Sequence, residues 1–258
     1  MISSPESILR LIRRSLCVSG LVMIAAVAGV APGRADSSFR LELEGGPAWQ
    51  TRNDFAVPGD VGPRVSLADA PAAAARRGTL IWDFGERWSL RVLAAPFSTE
   101  TDFVADSPVR FEDAVFPAGV PLTQRFEFNS YRFSFLYRFR SAGPWSFRAG
   151  VTGKVREASI SLSGSGQSAR RDDLGFVPLL YGGARYDAGG RWAFDAELDG
   201  LGAPQGRAID LSLRAELRAS DRVRPYLGVR WLDGGADNDE VLTFATVHYA
   251  LAGVSLHF

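Results

Sequence analysis

From Phe39 to Phe258 apolar and polar residues alternate almost everywhere with a period of two. In "YRFSFLYRF", Tyr131, Phe133, Phe135, Tyr137 and Phe139 fall on one face, and Arg132, Ser134, Leu136 and Arg138 on the other. In "AIDLSLRAELR", Ile209, Leu211, Leu213, Ala215 and Leu217 oppose Asp210, Ser212, Arg214, Glu216 and Arg218. A helical period of 3.6 would mix these sets, whereas a strand separates them. The same sorting sets Leu41 and Leu43 against Glu42 and Glu44, and Trp88, Leu90 and Val92 against Ser89 and Arg91. It also sets Trp145, Phe147 and Val151 against Arg148, Thr152 and Lys154, and Trp192, Phe194 and Leu198 against Asp195, Glu197 and Asp199. The pattern predicts ten strands, roughly 38–50, 75–85, 88–99, 124–139, 144–160, 174–186, 191–199, 207–218, 222–232 and 241–258.

The connections come in two alternating kinds. "GER" (85–87), "SAGP" (141–144), "DAGGR" (187–191) and "ASDR" (219–222) are tight turns built from Gly, Pro, Asp and Ser. Between them lie longer segments at 51–74, 100–123, 161–173, 200–206 and 233–240. Strict alternation puts all short turns at one end of an up-and-down barrel and all long loops at the other, the asymmetry of transmembrane barrels. The fold expected is a closed antiparallel up-and-down transmembrane β-barrel of ten strands, with eight as the alternative count.

Alternation alone leaves open which face is buried, because a soluble barrel with a lipophilic cavity also alternates. The aromatics favour the membrane. Trp88, Trp145 and Trp192 sit just after tight turns, and Phe84, Phe139 and Tyr186 just before them, all on the apolar face. With Phe258 they make one level at the turn end, the expected lipid-interface girdle. Trp49 and Trp231 would mark the opposite level. Pro47, Pro96, Pro178 and Pro225 run against this pattern, because a closed barrel has no free edge for a residue without an N–H. Bulges or strand ends are the places where they fit.

The first residues read differently. Arg10, Arg13 and Arg14 precede the apolar run Leu16 to Val30 and then "APGRADSS", the three parts of a secretory signal peptide, with cleavage expected after Ala35. Residues 36–258 would form the mature barrel. The only cysteine, Cys17, lies in the leader, which leaves no disulfide or thiolate metal site. Without residues 1–35 the chain keeps 25 basic and 28 acidic residues, and such a balance offers no footprint for nucleic acid.

The signal peptide, the period-two segments, the aromatic girdle and the ending "VSLHF" together make residues 36–258 resemble the small, single-chain β-barrel proteins of the Gram-negative outer membrane. The stretches "GPAWQTRND", "FNSYRF", "GLGAPQGRA" and "GGADND" are similar to features of a family of uncharacterised barrels of that kind. The resemblance implies export, insertion among outer-membrane lipid and lipopolysaccharide, and handling by the barrel-assembly machinery. Val254, Leu256 and Phe258 resemble the C-terminal signal that this machinery reads. It implies no particular activity.

The polar face supplies the remaining candidates. Glu42, Glu44, Arg91, Arg132, Arg138, Arg148, Asp195, Glu197, Asp210, Arg214, Glu216 and Arg230 are expected in the lumen. Long arginines can cross a narrow barrel and grip carboxylates, giving either a salt-bridged plug or a small pore tuned by charge. Only large barrels leave a wide channel, which disfavours a general porin. Outer-membrane proteases and lipid-modifying enzymes of similar build need a histidine with acidic or serine partners. His248, a few residues from Asp237, Asp239 and Glu240, is the one candidate, because His257 lies at the far end. No catalytic, cofactor or metal site is assigned, although the acidic loop 233–240 has oxygen ligands of the kind calcium takes. "GSGQSARRDD" (164–173) is expected to be a flexible loop whose Arg170 and Arg171 can reach lipopolysaccharide phosphates. The expected role is structural, adhesive, or binding or passage of a small solute.

Overall fold

Each long strand pairs antiparallel with the next. The computed structural model describes residues 37–56, 65–66, 71–139, 141–204, 206–237 and 242–258. The expected leader and Asn238, Asp239 and Glu240 of the acidic loop lie outside them. The strands are β1 (Ser37–Ala56), β2 (Val65–Ser66), β3 (Ala73–Phe84), β4 (Trp88–Ala95), β5 (Ser98–Val104), β6 (Val109–Phe111) and β7 (Ala114–Phe116). They continue with β8 (Pro121–Arg138), β9 (Trp145–Gly164), β10 (Gln167–Asp187), β11 (Trp192–Ala203), β12 (Gly206–Leu217), β13 (Val223–Asp237) and β14 (Leu242–His257).

Among the described residues ten staves close the barrel: β1, β3, β4, β8 to β14, and a seam between β14 and β1. Stepping from partner to partner leads from Phe39 through Trp82, Leu90, Phe135, Val151 and Leu180. The path continues through Gly200, Ile209, Asp233 and Thr246, and re-enters β1 at Arg52, far above its start. That offset is the shear that tilts strands in a closed barrel by about 40°. The count is ten, and the alternative of eight is set aside.

The four prolines sit where the ladder is incomplete. Pro96 occupies the break between β4 and β5, which both pair with β8. Pro225 lies below the first pair joining β12 to β13, Glu216 with Tyr226. Pro178 lies above the last pair joining β10 to β11, Leu180 with Gly200. Pro47 falls in a gap of the seam, between the pairs Gly45–Ala252 and Ala48–Tyr249. Each therefore lacks a neighbour on the side where its N–H is missing.

The expected long loops are largely strand, which corrects the sequence reading. Residues 161–173 form a hairpin, not a flexible loop, with Arg170 paired to Ser161 and Arg171 to Ile160. Ser165 and Gly166, with φ of 52° and 76°, make the two-residue turn that matches strand twist. Residues 100–123 hold the end of β5, the β6–β7 hairpin and the start of β8. Thus β5, β8, β9 and β10 rise past their neighbours as a wing. Phe116, Leu122 and Leu162 are buried in a core of its own, with Phe103 and Phe111 packed around them.

Candidate functional site

Faces decide what this barrel can do. Outside, Trp88, Phe135, Phe147, Val151, Leu180, Phe194, Leu213 and Leu227 are exposed. Inside, Glu42, Arg91, Arg132, Asp199, Asp210, Arg214 and Arg230 are buried. A soluble barrel with a greasy cavity would have the reverse arrangement. The outward face of β8 turns polar above Tyr131, at Asn129, Glu127 and Arg125, which marks the upper limit of an apolar band of about 25 Å.

At the turn end Trp88, Phe139, Trp145, Trp192 and Phe258 are exposed, and Phe84 and Tyr186 are half-buried. Trp88 contacts Tyr137 and Phe135 at 4.8 Å each, and Trp145 contacts Tyr186 at 4.8 Å. Trp82 belongs to the same level, 4.9 Å from Phe84 and stacked on Phe39 at 6.0 Å. The sequence reading passed over Trp82, although its place two residues before Phe84 carried the signal. Val254 and Leu256 face outward above Phe258.

The lumen charges come together as one network. Asp210 accepts from Arg132 at 2.5 Å, Arg230 at 2.9 Å and Arg77 at 3.2 Å. Its ladder neighbour Asp199 accepts from Arg91 at 2.7 and 2.9 Å, Arg132 at 2.9 Å and Thr152 at 2.8 Å. Glu44 takes Arg230 at 2.7 Å and Arg77 at 3.2 Å. Lower down, Arg214 holds Glu42 at 2.8 Å and Glu197 at 3.3 Å, and Arg185 holds Asp195 at 2.8 Å and Glu216 at 2.5 Å. Arg138 holds Asp83 at 2.9 Å, with Arg148 on the same inward face. Two tyrosines complete it, Tyr181 donating to Glu197 at 3.0 Å and Tyr226 to Glu44 at 3.2 Å. Sequence sorting placed the charges inside but missed Arg77 and these tyrosines, whose apolar rings hide an inward hydroxyl.

Above the network the lumen turns apolar. Ala48, Phe97, Leu232 and Val247 form a buried cluster, with Phe97 edge-on to Tyr249 at 6.3 Å. Between cluster and network lies a small, half-open cleft, with Phe97, Phe128, Leu232 and Tyr249 as walls and Arg77, Arg132 and Arg230 as floor. Lys154, buried beside it, lies 5.1 Å from the Phe128 ring and forms no ion pair among the described residues.

His248 does not face this interior. Its ladder partners are the exposed Trp49 and Trp231, its ring stacks on Trp49 at 6.1 Å, and Nε2 lies 3.1 Å from Thr51 Oγ1. The acidic side chains expected to orient it, and the oxygen ligands suggested for calcium, fall outside the described side chains. Among the described residues no cluster of three His, Asp or Glu is placed to hold a metal. On the wing, Arg170 is paired with Asp172 at 2.8 Å and Glu127 at 3.2 Å, and Arg171 with Glu112 at 3.2 Å. Burial alone would raise the Glu127 carboxyl, but bonds from Ser159, Arg125 and Arg170 outweigh it and hold the group below its usual range.

No protein-family model matches the chain, and no curated protein matches it in sequence. Solved structures match in fold. The outer membrane protease OmpT from Escherichia coli is 10% identical over 86% of this chain and 97% of its own, with a TM-score of 0.53. The attachment invasion locus protein Ail of Yersinia pestis, solved with the heparin analogue sucrose octasulfate, is 11% identical over 87% and 100%, with a TM-score of 0.40. Neisserial surface protein A is 14% identical over 87% and 100%, with a TM-score of 0.38. Such likeness speaks to fold alone, and leaves catalysis against binding to the side chains. The chain is built as a closed, ten-strand antiparallel barrel of the Gram-negative outer-membrane type, apolar outside and ionic within.

Proposed function

We propose that this is a non-conducting, non-catalytic outer-membrane barrel that works at its outer end as a binding or adhesive platform. The observation that carries the reading is the continuous network from Arg91 through Asp199, Arg132 and Asp210 to Arg230 and Glu44, which spans the lumen with buried, mutually paired groups. A water-filled pore needs solvated charges, whereas these carboxylates are spent on arginines. Among the described residues the inward carboxylates are held by arginines, which disfavours catalysis in the lumen, and the one histidine near the outer end faces outward between tryptophans. The wing, with its own buried core, is a firm surface on which to present a binding site.

Residues 1–35 act in this reading as the export signal. Phe258, with Val254 and Leu256, is read by the assembly machinery, and the lower aromatic level rests at the inner headgroups. In this reading the wing rises into the lipopolysaccharide layer. The test is conductance of the folded barrel in planar bilayers. The expected result is a current equal to that of bare membrane, and steady unitary steps would overturn the reading.

A further inference from the structure

The cleft above the ionic network abuts a break in the barrel wall. The ladder joining β3 to β4 ends at Gly78 with Ala94. Above it, β3 from Ala73 to Arg77 still pairs with β1, while Ala95, Phe97 and β5 turn to β8. No backbone pairing joins the two sides among the described residues, and Pro96 stands at the break. At this break the cleft is lined by inward residues, Ala75, Ala95 and Phe97, and by outward ones, Arg76 and Pro96. The cleft thus touches residues of both faces of the sheet at this break.

The level of this slit is set by the strand. At about 3.3 Å per residue and a tilt near 40°, Arg76 stands roughly 15 Å above Trp82, in the upper half of a band about 25 Å tall. An arginine on the outward face at that depth is costly unless it meets an anion or reaches the headgroups. Arg76 is exposed, and among the described residues it has no ion pair or hydrogen bond. The three arginines of the floor are already held by Asp210, Asp199 and Glu44. Lys154 packs on Phe128 and is not part of the lining, so a charged head stays at the lip and an apolar tail suits the walls.

We propose that the cleft binds a single-chain amphiphile with a carboxylate head, admitted sideways from the outer leaflet through the slit between β3 and the β4–β5 break. The tail lies among Phe97, Phe128, Leu232 and Tyr249, and the head meets Arg76. Pro96 keeps the slit open by removing a ladder donor. This extends the platform reading, since it names a ligand class for the upper lumen, and it rests on the network remaining closed beneath.

The test uses the full barrel folded in phospholipid vesicles, a diazirine-bearing dodecanoate, and mapping of the labelled residues. Label on Phe97, Phe128 or Leu232 is the expected result. Arg76→Gln is expected to weaken that labelling roughly tenfold, the loss of one charge-assisted contact, and to leave labelling by the matching methyl ester unchanged. Ala95→Trp, or Ala75→Leu where the larger change fails to fold, should abolish it by closing the slit. A gel shift on heating reports folding of each variant, and the bilayer current separately reports whether the network is closed. Label confined to outward residues of the band, or equal label in wild type and Arg76→Gln, would overturn the proposal while leaving a silent bilayer trace intact.

Discussion

Arg132 Nη2 lies 2.5 Å from Asp210 Oδ2 and joins β8 to β12 across the lumen, over three intervening strands. The other terminal nitrogen of Arg132 holds Asp199, so one guanidinium neutralises two carboxylates that are direct ladder neighbours. Asp210→Ala would leave Arg77, Arg132 and Arg230 short of a buried counter-charge. Breaking a buried pair in this way costs about 3–5 kcal/mol. The urea midpoint of the folded barrel should fall accordingly. A loss of less than about 1 kcal/mol, the range of solvated surface pairs, would show that the lumen is wet.

The outward face of β10 offers a depth series on one strand. Leu180 is 60% exposed near the middle of the apolar band, and Ser168 lies beyond it on the same face. Leu180→Arg is expected to cost roughly 2–4 kcal/mol of insertion and Ser168→Arg almost nothing. Equal folding of both into vesicles would place the band elsewhere. The inward face gives no safe control. Ser134 is fully buried between Arg91 and Thr152, so Ser134→Arg, which alternation alone would rate as tolerable, sets a new cation against Arg91.

Face and strand order were readable because period two is a local property. Every pair such as Phe133 and Arg132 declares its side without reference to the rest of the chain. Which carboxylate each arginine grips depends on shear, a property of the closed circuit, and so the bond from Arg132 to Asp210 was invisible. Loop lengths misled for a related reason. The wing strands leave the bilayer at Asn129 and Glu157 and lose their apolar alternation, yet the ladder continues to Gly164 and Gln167. The face of His248 was not legible either, because nearness in sequence to acidic residues says nothing of face, which Trp49 and Trp231 decide.

Gly253 supports a tyrosine that the network uses. Its ladder partner Tyr226 lays its ring over the glycine, where a Cβ would strike the ring and the Tyr226 hydroxyl, and so reaches Glu44. Gly253→Val is expected to displace Tyr226 and cost about 1–3 kcal/mol. Gly78→Ala, whose Cβ would meet only Leu43 at 3.8 Å, should stay within about 0.5 kcal/mol. Comparison of the two urea midpoints is the check. Equal effects would mean that strand glycines matter here only through backbone entropy.

Phe258 ends the seam and also stands free in the lower aromatic level. Its backbone N–H donates to the Phe39 carbonyl at 2.9 Å and its carbonyl accepts from Phe39 at 3.3 Å, while the residue is 64% exposed. Structure and recognition can therefore be separated. Phe258→Ala keeps both backbone bonds and loses a ring that packs on little, so the folded barrel should unfold within about 0.5 kcal/mol of wild type. Deletion of Phe258 removes two seam bonds at about 1 kcal/mol each, against a seam that keeps its pairs from Arg40 with His257 upward. If the ring is read during assembly, both variants fold unaided into vesicles yet give much less heat-shifting barrel in the envelope. Loss in the envelope that merely tracks the loss in vesicles would assign Phe258 to the seam alone.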